Sequence, residues 1–66
     1  MAKDSALDTA QLSSLSTALE DLTRRITQLA DQYQGSPRED VAADLYEIER
    51  QLLTATRRLK AMLDRG

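Results

Sequence analysis

Two arginine pairs stand at matching points of this sequence. Arg24 and Arg25 lie in Thr23-Arg24-Arg25-Ile26, and Arg57 and Arg58 lie in Thr56-Arg57-Arg58-Leu59, with Asp31 and Asp64 following at equal distances. A guanidinium is a permanent charge with a planar fork of donors. Duplicated pairs therefore suit a twofold-symmetric anion such as a phosphate ester, or an acidic protein partner. The plainer reading is two solvated Leu/Arg-rich helix faces that resemble each other by chance. Acid–base work would fall to carboxylates such as Glu20, Asp21 and Glu47. A surface of so few residues gives them little desolvation with which to shift their pKa values. The 66 residues contain no His and no Cys. The commonest general base, the commonest metal ligand, disulfides and thiolate sites are all absent. No nucleophile–base pair and no glycine-rich phosphate loop is present, so neither an enzyme nor a cofactor or metal is expected.

The elements that carry these charges follow from composition and caps. The chain is rich in Leu, Ala, Glu, Gln and Arg, which are strong helix formers, and its only aromatics are Tyr33 and Tyr46. The break Gln34-Gly35-Ser36-Pro37-Arg38-Glu39 reads as a helix stop followed by a helix start. Gly35 suits the left-handed residue that ends a helix. Ser36 suits an N-cap, Pro37 the first helical position, and Glu39 completes a capping box. Upstream, Asp8 and Gln11 form a similar cap, with Leu7 and Leu12 placed for a hydrophobic staple. The expected division is a frayed N-terminus over 1–7, a helix over 8–34, a turn at 35–36 and a helix over 37–65.

Apolar spacing sets the expected packing. Leu12, Leu15, Leu19, Leu22, Ile26, Leu29 and Tyr33 follow a 3-4 rhythm. Val41, Leu45, Ile48, Leu52, Ala55, Leu59 and Met62 follow it in the opposite phase. Sustained alternation of this kind marks a coiled-coil seam. With Leu12, Leu19, Ile26 and Tyr33, and Leu45, Leu52 and Leu59, at heptad position a, the others fall at d. Folding at Pro37 then pairs each a with a d, from Tyr33 with Val41 through Leu22 with Leu52 to Leu12 with Met62. The expected fold is all-α: a two-helix antiparallel coiled-coil hairpin that dimerises into a four-helix bundle.

On this reading the outer faces hold the function. The g side, with Gln11, Ala18, Arg25 and Gln32 beside Asp44, Gln51, Arg58 and Arg65, is polar. The e side is mostly small, and the apolar Tyr46 and Leu53 lie next to it. The expected interface, with a second copy or another protein, is Ala30, Ala42, Tyr46, Leu53 and Leu63. Arg24, Arg25, Arg57 and Arg58 are the expected anion or partner contacts. A chain below about 70–80 residues seldom stabilises itself with one core, which makes a homodimer the simplest assembly, with a larger protein as a further partner.

A net charge of −2 with interspersed signs gives no basic face for nucleic acid, and no run approaches the ~20 apolar residues of a membrane span. The N-terminus has no signal-peptide pattern, so a cytoplasmic location is expected. Function is therefore expected to be non-enzymatic: a protein–protein interaction module acting as a small adaptor or regulator. The alternatives are a regulator responsive to a phosphate-bearing ligand held by the Arg pairs, and a purely structural or designed coiled coil. Over Tyr33-Gln34-Gly35 the chain is similar to the Trp-x-Gly turn of small secreted helical hairpins of bacterial secretion systems. Tyr replaces the Trp, and Arg50 stands where their Tyr-x-x-x-Asp/Glu export signal would need an acid after Tyr46, so the likeness assigns no family.

Overall fold

The computed structural model describes residues 8–65. It is an all-α hairpin of two long helices in close contact, α1 (Thr9–Tyr33) and α2 (Glu39–Arg65). The expectations for residues 1–7, including the staple to Leu7, lie outside the described residues. Asp8 caps α1 as its sequence position implies, its Oδ1 accepting from the Gln11 N–H at 3.0 Å. That bond satisfies one of the four N–H groups a helix start leaves without an intrahelical partner.

The turn uses the expected residues in a slightly different arrangement. Gly35 takes φ +81, the left-handed region that its missing Cβ makes inexpensive. The Ser36 N–H donates to the Tyr33 carbonyl at 3.0 Å. Because that donor is engaged, the Glu39 carboxylate accepts instead from the Gly35 N–H at 3.0 Å. The Ser36 hydroxyl accepts from the Arg38 N–H at 3.1 Å and donates to the Tyr33 carbonyl at 2.5 Å. The capping box is thus displaced by one residue. Pro37 and Arg38 belong to the turn, and α2 begins at Glu39, two residues later than the sequence suggests.

The seam differs from the sequence expectation in a consequential way. The residues buried between the helices are Ser16, Thr23, Ala30, Ala42 and Thr56, all at heptad position e. Most of the d residues expected there are instead open: Leu15 is 52 % exposed, Leu22 44 %, Leu29 43 % and Ile48 40 %, whereas Val41 and Met62 are half-buried. Leu12, Leu19 and Ile26 of α1 and Leu45, Leu52 and Leu59 of α2, all at a, are half-buried along one flank of the contact. Relative to an a/d seam, each helix is rotated by roughly 70° about its axis, given ~100° per residue. Small side chains allow this. They let two backbones come close, so the seam packs tightly without large side chains between them. Ala30, at 0 % exposure, and Ala42, at 3 %, sit at this close approach near the turn.

Buried hydroxyls in the seam are mostly satisfied within their own helix. Thr23 donates to the Leu19 carbonyl at 2.7 Å and Thr56 to that of Leu52 at 2.8 Å. This back-bonding lets a threonine fill a close contact without an orphan donor. Ser16 is the exception, its buried Oγ having no partner among the described residues.

Candidate functional site

The contact has two flanks of opposite character. On the flank made by position b, polar groups cross between the helices. The Thr27 hydroxyl donates to Glu49 Oε2 at 2.7 Å, and Lys60 pairs with Glu20 at 2.5 Å. The Tyr46 hydroxyl donates to Asp31 Oδ1 and, at 3.1 Å, to Gln34 Oε1. The Asp31 bond, with the packing around the ring and the negative charges of Asp31 and Glu49, pushes the Tyr46 phenol above its ordinary pKa. An anionic acceptor favours a phenol that keeps its proton.

The opposite flank carries no such lid. Leu15, Leu22 and Leu29 of α1 and Ile48 and Ala55 of α2 stand exposed beside the half-buried a residues. They form an apolar face that runs the length of the hairpin and spans both helices. A shallow groove on the α1 side of it is lined by Leu22, Ile26 and Leu29, with Arg25, Gln28 and Gln32 at its polar edge. Heptad arithmetic explains the composition. One stripe of two positions per seven cannot serve two neighbours at once, so a helix that meets its hairpin partner through e has a and d left for something else.

The residues expected to form the interface are therefore distributed differently. Ala30 and Ala42 are enclosed in the hairpin's own contact and are not available to a partner. Tyr46 is half-buried and engaged with Asp31 and Gln34, so it fastens α2 to the end of α1. Leu63 is half-buried, and Leu53 is 45 % exposed on the polar flank. Ala55, expected in the seam at position d, is exposed on the open face. The open leucines and Ile48 thus lie outside the hairpin's own contact, a correction to the expected a/d seam: the 3-4 rhythm marks an apolar stripe on each helix but not which neighbour covers it.

The four arginines do not converge on one site. Arg24 is paired with Asp21, and Arg57 donates to the Thr54 hydroxyl at 3.5 Å. Arg25 borders the groove, and Arg58 is exposed on α2. At the turn, a two-bond contact between Arg38 and Asp40, both distances 3.1 Å, holds the Asp40 carboxyl below its usual range and raises Arg38. Both side chains are open to solvent. Among the described residues no group of acidic, His or Cys side chains could hold a metal ion, and no helix is long and apolar enough to cross a membrane. No family model matches the sequence, and no curated protein or solved structure is significantly similar to it.

Proposed function

We propose that the protein is a non-enzymatic interaction module, a small adaptor or regulator that works by docking its hairpin onto another polypeptide and that itself self-associates. One observation carries the reading: the open a/d face. Large aliphatic side chains recur along it at helical spacing on both helices, whereas isolated exposed leucines would be scattered. Contiguous apolar surface of this kind on a small helical unit is the usual mark of an association site. The hairpin's size supports the same reading, since two helices bury too little apolar area to be comfortably stable alone.

Melting the full chain over a range of concentrations tests this. If association is coupled to folding, the melting temperature rises with concentration, because the assembled state is favoured by mass action. A melting temperature independent of concentration over about three decades would remove self-association from the reading.

A further inference from the structure

The open face has features that point to what covers it and in which orientation. We infer that its occupant is a second copy of this chain, placed so that the two turns lie at opposite ends of a four-helix bundle. This rests on the interaction reading above and adds the partner and its direction.

The face fits itself. It is two helices wide and carries the same a/d rhythm on both, so a copy supplies side chains at the spacing its gaps require. It covers about 22 residues of each helix, roughly 33 Å at ~1.5 Å per residue, and the hairpin is 17 Å across. That footprint is on the order of 550 Å² before surface relief is counted, about two-thirds of the ~800 Å² of accessible area per partner in stable interfaces, and relief adds to it.

Orientation follows from the charges that border the face at position g. Two closed twofold arrangements are open to stacked hairpins. With both turns at one end, α1 of one copy lies on α2 of the other at equal heights. The g neighbours are then Gln11 with Arg65, Ala18 with Arg58, Arg25 with Gln51, and Gln32 with Asp44, and no opposite charges meet. With the turns at opposite ends, each helix lies antiparallel on its own counterpart. Two layer registers are then possible for α2 on α2. One sets Asp44 against Arg65 of the second copy and Gln51 against Arg58. The other sets Asp44 against Arg58, but also brings Arg25 against Arg25 at the twofold axis. In either register Asp44 meets an arginine, and symmetry makes the contact twice. The first register avoids the like-charge encounter.

The rest of α2 reinforces this. Its first half carries Glu39, Asp40, Asp44, Glu47 and Glu49 against Arg50, and its second half Arg57, Arg58, Lys60 and Arg65 against Asp64. An antiparallel contact of α2 with itself lays the acidic half on the basic half. Asp44, Arg58 and Arg65 are exposed and have no ion-pair partner within the hairpin among the described residues. Complementary rim charges of this sort select orientation more than they add affinity.

The test is a spin-label distance measurement on the full chain carrying Arg38→Cys, whose side chain is 65 % exposed at the turn. The sequence has no other cysteine. Opposite turns in the first register set the two labels roughly 50 Å apart, about 33 residues at ~1.5 Å per residue, and in the second register roughly 40 Å. Turns at one end set them within about 20 Å, given helix axes ~8–10 Å apart. The expected result is the long distance, in a sample whose mass is that of two chains. A short distance at that mass overturns the orientation and leaves the interaction reading standing. A single-chain mass overturns both the second-copy partner and self-association.

Discussion

The b flank and the a/d flank of the hairpin border the same two helices and differ in almost everything else. On the b flank Glu20, Thr27, Asp31 and Gln34 reach across to Lys60, Glu49 and Tyr46, so polar groups meet polar groups and the edge is finished. On the a/d flank Leu15, Leu22, Leu29 and Ile48 leave about half of their aliphatic surface in water, with no polar group reaching across them. A flank closed by hydrogen bonds needs no further partner, whereas one lined with exposed aliphatic carbon gains free energy from any surface that excludes its water. The asymmetry separates two roles within one contact: one flank is closed by polar bonds between the helices, and the other leaves aliphatic carbon in water.

The comparison can be broken most severely on the open flank. Leu22→Asp is expected to raise the dissociation constant of the dimer by about 100-fold or more, because it would bury an unpaired carboxylate in the assembled core. Sedimentation of the variant against the native chain reads this directly. Had the d residues formed the hairpin's own seam, the same change would strike inside the single chain, and no assembly would stand between it and unfolding.

A second pair of changes sharpens the contrast. Ala30→Leu forces a large side chain into the fully enclosed contact near the turn, with an expected loss of about 1–3 kcal/mol in denaturant unfolding. Ala55→Leu adds the same atoms on the open face, where it is expected to leave the hairpin intact and tighten association. A similar loss from both would mean the two flanks are not distinct.

Smaller effects belong to the polar flank. The Tyr46 phenol is held above its ordinary pKa by its bond to Asp31. That stabilisation is complete below the ordinary phenol value of ~10 and is lost as pH rises through the raised value. Melting temperature in the alkaline range should therefore fall more for the native chain than for Tyr46→Phe, which has no proton to lose. Parallel pH profiles would remove Asp31 as the cause. Leu53→Glu, an exposed change on the closed flank, is expected to alter stability by less than about 0.5 kcal/mol and to leave the assembly unchanged. Loss of the oligomer in that variant would return the interface to the side the sequence first suggested.

Much of the fold is legible in the residues. The Asp8 cap, the Gly35 stop and the cluster Ser36-Pro37-Glu39 act through local backbone chemistry, and local chemistry is what a sequence states most directly. The 3-4 rhythm likewise identifies two long helices with one apolar stripe each. The rotation of each helix about its axis is less legible. Position e adjoins a on the helix surface, so a seam centred on d and a and one centred on e draw on overlapping residues. Small residues at e suit an outer surface on which another helix could settle. They are also what close backbone approach requires, and Ala30 and Ala42 take that role. Whether the large residues or the small ones meet inside the hairpin is decided by the packing of the two helices against each other, which neither helix states alone.

The central claim is that the a/d face is covered by a second copy. Light scattering of the native chain over a concentration series measures it most directly. The expected result is a mass of twice the 7.4 kDa chain, falling toward one chain on dilution. A mass of one chain at every concentration, with the helices intact by circular dichroism, would contradict it.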